Sequence, residues 1–222
     1  MTTIRVRDIR HKCYVSIKMG KGDMYKIIRE NISGKSVLDV GCVGAIKSAV
    51  PKDGNNYLHG FISRHAKYCI GVDLNETGVA KLNEFGYNCV VGDAENLDIG
   101  DKFQVIVAAN LIEHLSNVGK FLESAKGHLS PEGSLLIATP NPFFLWRFIE
   151  IVLRDNFAMN EEHTCWFDPK TLGYLLLKHG FRVRAMYWNT SYHVKPHSYF
   201  VRAARCIRGY FCSGITVVAD IP

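Results

Sequence analysis

Five short apolar runs, separated by stretches with helical spacing, constrain the fold of this chain more than any other feature of its sequence. The runs are VLDV, YCIGVDL, YNCVVGD, KFQVIVAAN and SLLIATP, and the first three end at or near Asp39, Asp73 and Asp93. A continuous apolar run bounded by turn residues is typical of a strand buried on both faces, and alternation with helices favours parallel pairing. The pattern therefore predicts an open α/β fold with a mostly parallel sheet, in one domain spanning residues 1–222.

The stretches between the runs predict the helices. Residues Ile17–Glu30 have the spacing of a first helix. Asn75 is placed to cap a helix that ends at Gly86, and the helix after the fourth strand is expected to end at Pro131 and Gly133. Three more elements follow, a helix over 168–180 and strands over 181–189 and 214–221.

The bulk composition excludes several classes of protein. The chain has 222 residues, 47% hydrophobic and 22% charged, which is typical of a globular protein that buries a sizeable core. No apolar stretch approaches the ~18–20 residues of a membrane span, and the first residues lack the apolar core of a signal peptide. We therefore expect a cytoplasmic protein. The seven cysteines are dispersed without a CxxC pair, which suits a reducing compartment and argues against structural zinc.

The formal net charge of +6 is concentrated towards the two ends of the chain. Residues 1–23 carry six Lys and Arg against two acids, and residues 182–208 carry six against none. This distribution indicates either an anionic partner or surface, or a basic face that is simply solvated.

The turn after the first apolar run indicates what kind of nucleotide the sheet binds. In open α/β sheets, ligands lie beyond the carboxyl ends of the strands, and Asp39 and Gly41 stand at the end of the first one. The turn reads G-C-V-G-A, so the GxGxxG fingerprint of dinucleotide sites fails at its second glycine, and no phosphate-binding GxxxxGK[ST] loop exists. A carboxylate at the end of the second strand, here Asp73, can accept hydrogen bonds from both ribose hydroxyls. The turn therefore favours a nucleoside cofactor without phosphates.

Five motifs in order give the chain a resemblance to the class I S-adenosylmethionine-dependent methyltransferases. VLDVGCVGA is similar to the family's first motif, GVDLNE to its ribose-binding loop and VGDAENL to the end of its third strand, while FQVIVAANLIEHL and LSPEGSLLIATPNP resemble the fourth- and fifth-strand motifs. The resemblance runs from about Val37 to Phe181 and implies a Rossmann-like sheet of seven strands, with helices on both faces and an antiparallel last strand. It also implies S-adenosylmethionine as cofactor.

The same resemblance implies roles for individual residues. Asp73 would bind the ribose, Asp93 the adenine amino group, and Ala94 would supply a backbone amide. The remaining cofactor-binding positions implied by the motifs are Asp39, Gly41, Cys42, Leu74 and Asn110. Val43 and Ala45 depart from the family, which usually has glycines there.

The subgroup that this chain most resembles is the ubiquinone-type O-methyltransferases, whose fourth-strand motif reads E-x-x-E-H and helps to hold a divalent metal. Here the first acid is Asn110, which leaves only Glu113 and His114. Two ligands and an amide make a poor magnesium site, so we expect no metal.

Two histidines are candidates for a catalytic base. Methyl transfer to oxygen or nitrogen requires alignment of nucleophile, carbon and sulfur, and sometimes removal of a proton. His114 follows the fourth strand, and His163 lies in NEEHTCWFDP before the next helix. Either residue could instead be structural, His114 as part of the cofactor floor and His163 through a hydrogen bond.

The acceptor is constrained by the segments outside the motifs. Residues 1–34 form an N-terminal arm and helix, and two variable segments, 141–165 and 191–212, lie on the substrate side in this prediction. Residues 141–157 are apolar nearly all round, which indicates burial in a lid or dimer contact, or contact with a lipid-linked acceptor or a membrane surface. We expect a small-molecule, glycan or lipid-linked acceptor methylated at a hydroxyl, in a monomer or homodimer.

Two alternatives stay open at this stage. Residues 187–211 interleave aromatic residues with cations, as nucleic-acid-binding segments do, which favours RNA as a second acceptor class. The altered loop at Val43 and Ala45 would also suit a methyltransferase-like binding module without activity, although retention of Asp39, Asp73 and Asp93 argues against it.

Overall fold

The computed structural model describes residues 2–44, 57–154, 160–189 and 209–222. The strands are β1 Thr2–Asp8, β2 Cys13–Gly22, β3 Ser36–Val40, β4 Tyr68–Asp73, β5 Cys89–Val91, β6 Phe103–Ala109, β7 Leu129–Pro140, β8 Arg182–Asn189 and β9 Gly214–Asp220. The helices are α1 Met24–Ile32, α2 Leu58–His65, α3 Glu76–Glu84, α4 Val118–His128, α5 Leu145–Arg154 and α6 Pro169–Lys178.

The strands form one sheet in the order β1-β2-β8-β9-β7-β6-β3-β4-β5. Strands β7, β6, β3, β4 and β5 pair in parallel, and β9 lies antiparallel between β7 and β8. The predicted α/β class, the mostly parallel sheet and the antiparallel last strand are confirmed. The predicted number of strands is wrong, because the described residues contribute nine rather than seven.

The two additional strands form a hairpin at the N-terminus. β1 pairs antiparallel with β2, and β2 continues the sheet by pairing in parallel with β8. The predicted helix over Ile17–Glu30 is therefore wrong in its first part. Buried Ile17 and Met19 alternate with exposed Ser16 and Lys18, which is the period of a strand. The helix begins only at Met24.

The ends of two helices test the predicted caps. Asn75 caps α3 as predicted, because its side chain accepts a hydrogen bond from the backbone N–H of Gly78 at 2.9 Å. Gly86 follows that helix with a φ of +85°, which favours glycine. The predicted end of α4 is wrong: the helix ends at His128, and β7 begins at once, so Pro131 and Gly133 lie inside a strand.

Helices cover both faces of the sheet. Apolar residues of α4 and α6 pack on one face in a large cluster that includes Ile4, Val6 and Phe103, and α1 and α2 pack on the other face. A third, smaller cluster lies where α3 meets the turn after β3. Among the described residues, no helix combines the length and the apolar character that crossing a bilayer requires.

Replacing Ile4 by Ala should lower the free energy of unfolding by about 2–4 kcal/mol, because this side chain is 2% exposed and its loss leaves a cavity under α6. The measurement is urea denaturation. Arg7→Ala, at an exposed position of the same strand, is the matched control and should change stability little. Equal effects of the two substitutions would mean that the hairpin is not part of the core.

Candidate functional site

The central strand of the sheet places the first glycine turn. β3 pairs with β4 on one side and with β6 on the other. The order of the strands therefore reverses at β3, and its carboxyl end is the topological switch point of the sheet. Gly41 stands there with a φ of +82°, and its N–H donates to the carbonyl of Val72 at 2.8 Å. A Cβ added to Gly41 would lie 3.1 Å from Leu111 Cδ1. The positive φ and the close approach both favour glycine at this position.

Asp73 ties this turn to the start of α3. Its Oδ2 accepts from the N–H of Val43 at 2.9 Å, and its Oδ1 accepts from the N–H of Asn75 at 3.0 Å. Leu74, beside it, is 67% exposed and open to a ligand. The Val43 side chain is buried against Gly78 of α3, where an added Cβ would lie 2.5 Å from Val43 Cγ1. Val43, where the family usually has a glycine, therefore makes a packing contact between the turn and α3. Ala45 lies outside the described residues.

Three other predicted cofactor residues lie at the same edge of the sheet. Asp93 is exposed and caps a short 3₁₀ turn, accepting from the N–H of Glu95 at 2.8 Å, and Ala94 behind it is buried. Asn110 follows β6 with a φ of +52°, and its N–H donates to the carbonyl of Ala138 at 2.7 Å. The fold thus brings the ends of β3, β4, β5 and β6 to one edge.

The Asp39 and Cys42 side chains face inward. His59 of α2 donates from Nδ1 to Asp39 Oδ2 at 2.9 Å, and both residues are buried. Burial raises the pKa of Asp39, against the hydrogen bond from His59. Burial alone would lower the pKa of His59, but its hydrogen bonds to Asp39 and Cys89 outweigh this and raise it to about 9. His59 and Cys89 were missed from the sequence, because they lie far from the motif and carry no local signal.

A second cluster lies just beyond β6. Side-chain ligand atoms of Glu113, His114 and His163 all lie within 4.8 Å of one another. The segment that carries His163 is held by the carbonyl of Glu113, which accepts from the N–H of Thr164 at 2.8 Å. The rings of His114 and His163 meet edge to face with their centroids 4.7 Å apart. The structure therefore brings together the two histidines that the sequence singled out.

Burial dominates the electrostatics of this cluster. Glu113 is 1% exposed, and burial raises its pKa, while the hydroxyl of Thr139 donates to its Oε2 at 3.0 Å. Burial lowers the pKa of His163, and electrostatic interactions with His114 and Arg147 lower it further. Within the described residues, Glu113 Oε1 and His163 Nδ1 are buried without a hydrogen-bond partner. Such atoms are rare in folded proteins and occur where a ligand or reacting group is expected.

Helix α5 reaches this cluster through Arg147. The guanidinium of Arg147 lies 4.2 Å from the ring centroid of Trp166, and that ring lies 5.2 Å from the imidazole of His163. Beyond Arg147, α5 presents Phe148, Ile151, Val152 and Leu153 to solvent, with Val152 81% exposed. Within a single chain the outer part of the helix is therefore exposed, and its burial in a dimer contact stays a prediction.

The comparisons with known proteins decide the family. A family model described as a methyltransferase domain matches residues 24–186 of this chain. The chain belongs to this family. The predicted methyltransferase family, and S-adenosylmethionine as its cofactor, are thereby confirmed.

Solved structures share the fold of this methyltransferase. An S-adenosylmethionine-dependent methyltransferase from Mesorhizobium loti superposes with a TM-score of 0.58 at 15% identity, covering 88% of this chain and 95% of that one. The N-methyltransferase NodS from Bradyrhizobium japonicum WM9, in complex with S-adenosyl-L-homocysteine, gives a TM-score of 0.54 at 11% identity, covering 89% of this chain and 85% of that one.

Curated relatives match a smaller part of the methyltransferase. A ubiquinone biosynthesis O-methyltransferase from Bradyrhizobium diazoefficiens is 29% identical over 118 residues, which is 50% of this chain and 42% of that protein. A second, from Rhodopseudomonas palustris strain HaA2, is 27% identical over the same coverage of 50% and 42%. The chain thus spans less than half the length of these relatives, and the roles of individual site residues stay predictions.

Replacing Thr139 by Val should lower the free energy of unfolding by about 1–3 kcal/mol at neutral pH, because it removes a hydroxyl that donates to a buried carboxylate. Thr216→Val on β9 is the matched control, since its buried hydroxyl donates to the neutral side-chain oxygen of Asn189 at 2.6 Å. Charge-assisted hydrogen bonds are the stronger kind. Urea denaturation should therefore show the larger loss for Thr139→Val.

The difference between these two variants should depend on pH. The raised pKa of Glu113 means that its carboxyl takes up a proton as the pH falls towards and through that pKa, which removes the charge on the acceptor. The excess loss in Thr139→Val should therefore be fully present above that raised pKa of Glu113 and shrink as the pH falls through it. An excess that does not change with pH would contradict the assignment of an ionised Glu113.

Proposed function

We propose that this methyltransferase transfers the methyl group of S-adenosylmethionine to a hydroxyl oxygen of a small-molecule, glycan or lipid-linked acceptor, with His163 as the base. The observation that carries the proposal is the Glu113, His114 and His163 cluster just beyond β6. It holds a buried carboxylate oxygen and a buried imidazole nitrogen that lack partners within the described residues.

The residues at the carboxyl edge of the sheet fit the cofactor. The two Asp73 oxygens each accept one backbone N–H, so lone pairs remain on both for the two ribose hydroxyls. Gly41 has a φ of +82° and no side chain, so a methionine moiety could pass close to the backbone of this turn. In this assignment Asp93 and the amide of Ala94 hold the adenine, Leu74 packs against the nucleoside, and Asp39, Cys42 and Asn110 shape the floor.

The chemistry requires alignment and the removal of one proton. S-adenosylmethionine supplies a methyl group on a sulfonium that already carries a good leaving group. An acceptor hydroxyl has to lose its proton as the new bond forms, and His163 is suited to accept it because its lowered pKa keeps the imidazole neutral near pH 7. The neighbouring Glu113 carboxylate would stabilise the imidazolium that results, and His114 completes the wall against which the acceptor is held.

Two observations support an acceptor that carries both a hydroxyl and an apolar part. The relatives are described as O-methyltransferases of ubiquinone biosynthesis, which favours transfer to oxygen. The exposed side chains of α5 begin next to Arg147, which stacks on Trp166 beside His163. An acceptor with its hydroxyl at His163 would therefore have an apolar surface beside it for a hydrocarbon or isoprenoid portion.

The three donors of the cluster would also suit a divalent cation, because they offer one carboxylate and two imidazoles. The expectation of no metal, drawn from Asn110 in place of an acid, stays a prediction. The nucleic-acid alternative depends on residues 187–211, of which 190–208 lie outside the described residues. It also stays a prediction, as do a peripheral membrane contact and the monomeric or homodimeric state.

Replacing Asp73 by Asn should weaken the binding of S-adenosyl-L-homocysteine by about 10-fold or more, because a charged acceptor of the ribose hydroxyls becomes neutral. Asparagine keeps an oxygen for only one of the N–H groups of Val43 and Asn75, so urea denaturation of the variant checks that the turn is retained. Isothermal titration calorimetry of both proteins is the measurement. Asp101→Asn, on an exposed loop, is the matched control and should bind as the wild type does. Unchanged affinity in Asp73→Asn would reject the ribose assignment.

Replacing His163 by Ala should lower kcat by about 10²–10⁴-fold, because the transition state loses its base. The assay measures transfer of radiolabelled methyl groups to a panel of phenolic, glycan and isoprenoid-linked hydroxyl compounds, with RNA as a further member. His11→Ala, whose side chain is 69% exposed on the N-terminal hairpin, is the control and should be fully active. Methylation of RNA alone would contradict the proposed acceptor class.

The pH profile should separate a base from a structural histidine. The wild type should lose activity only below the ordinary histidine pKa of about 6.5, because the pKa of His163 is lowered. In Arg147→Met one nearby positive charge is gone, so the imidazolium is less disfavoured and the acidic limb should move to higher pH. The measurement is kcat/KM against pH for both proteins. A limb that stays at the same pH would argue against His163 as the base.

A further inference from the structure

Three soft donor atoms converge in the core beneath the glycine turn, away from the acceptor cluster. Cys42, His59 and Cys89 are 3%, 1% and 5% exposed, and their Sγ, ring nitrogen and Sγ atoms lie within 4.8 Å of one another. His59 Nε2 lies 3.4 Å from Cys89 Sγ. In a tetrahedral zinc site, with Zn–S of about 2.3 Å and Zn–N of about 2.0 Å, a sulfur and a nitrogen ligand lie about 3.5 Å apart.

Gly71 on β4 shows how closely the three side chains converge. A Cβ added there would lie 2.7 Å from Cys89 Sγ, 2.8 Å from Cys42 Sγ and 2.8 Å from His59 Cε1. All three distances are shorter than a carbon atom tolerates, so the absence of a side chain on Gly71 leaves the space towards which both sulfurs and the imidazole point.

Asp39 orients the imidazole for this role. It accepts from His59 Nδ1 at 2.9 Å, so Nε2, on the side of the sulfurs, is the ring nitrogen that would bind an ion after losing its proton. A metal-binding histidine typically donates its other ring N–H to a carboxylate, which sets the orientation of the ring and strengthens its nitrogen as a ligand. Asp39, the first acid of the glycine-turn motif, thus has a structural role, and its side chain faces away from the cofactor.

We propose that Cys42, His59 and Cys89 bind one Zn²⁺ ion, with a water molecule as fourth ligand. Sulfur and imidazole nitrogen are the ligands that zinc prefers, and a set of two cysteines and one histidine leaves one position open. Two thiolates neutralise the charge of the ion, so the filled site adds no net charge to the core. The dispersed spacing of the cysteines along the sequence argues against a zinc site. The fold nevertheless brings together Cys42, after β3, and Cys89, on β5.

The ion would connect three elements on the adenosine side of the sheet. Cys42 belongs to the turn after β3, His59 to α2 and Cys89 to β5. Binding of an ion to the folded protein alone raises its stability. The site is independent of the proposed acceptor and base, because it shares no residue with the Glu113 cluster.

The test is a Co²⁺ titration of the reduced full-length protein under anaerobic conditions, followed by Zn²⁺. Cobalt bound by thiolates gives an intense charge-transfer band in the near ultraviolet, which carboxylate and imidazole ligands do not give. We expect this band to saturate at one ion per chain and to disappear when Zn²⁺ displaces Co²⁺. A wild-type protein without the band overturns the proposal.

Variants assign the band to this cluster. Cys89→Ser and His59→Gln should each weaken binding by at least 10-fold, whereas Cys13→Ala, at an exposed cysteine of the hairpin, should not change it. His163→Ala removes a donor of the other cluster and should also leave the band unchanged. A band that survives in both Cys89→Ser and Cys42→Ser would overturn the proposal.

Gly71→Ala tests the geometry without removing a ligand. Its new methyl group would occupy the space between the two sulfurs and the imidazole, so the band should be lost. Far-ultraviolet circular dichroism and urea denaturation report whether each variant is folded. A folded Gly71→Ala protein that binds Co²⁺ with wild-type affinity would overturn the proposal.

Discussion

The parallel pairing of β3 with β4 on one side and β6 on the other is the constraint on which the rest of the structure depends. Because both pairings are parallel, the carboxyl ends of the three strands meet, and the chain leaves β3 and β6 in opposite directions. Gly41, Asp73 and Asn110 are neighbours for this reason alone, although about 70 residues separate the first from the last. The backbone closes the arrangement, since the Val72 carbonyl accepts from the N–H of Gly41.

Two buried carboxylates near this edge differ in their hydrogen-bond partners. Asp39 is hydrogen-bonded to His59, which is buried as well, so the charge of one compensates the charge of the other. Glu113 has one hydroxyl on Oε2 and, within the described part of the chain, no partner on Oε1. A carboxylate that is fully compensated serves the structure, while one that is half compensated retains capacity for a substrate or proton. This contrast separates a supporting pair from a reacting cluster.

The parts of the fold that follow from local pattern could be predicted, and those that depend on distant contacts could not. The buried parallel strands are apolar throughout, and Asn75 caps α3 through its own side chain, so both are readable. The N-terminal hairpin was missed because CYVSIKMGKG, residues 13–22, alternates buried and exposed positions only once β8 and α6 cover it. His59 and Cys89 join Asp39 from elements 20 and more residues away, and no spacing rule anticipates that.

The unsatisfied atoms give a physical reason to place chemistry at the second cluster rather than the first. Leaving a buried polar atom without a partner costs about 1–3 kcal/mol, so a fold retains one only where something compensates. Of three such side-chain atoms within the described residues, two belong to Glu113 and His163 in the same cluster, and the third is Trp188 Nε1. Glu113 and His163 have side-chain ligand atoms within 4.8 Å of each other, and two unrelated packing defects would not be expected in such close neighbours at the carboxyl edge of the sheet. In the proposed complex, an acceptor hydroxyl between carboxylate and imidazole would regain this free energy. Stability that the free protein lacks would then be available as binding energy at the reacting atoms.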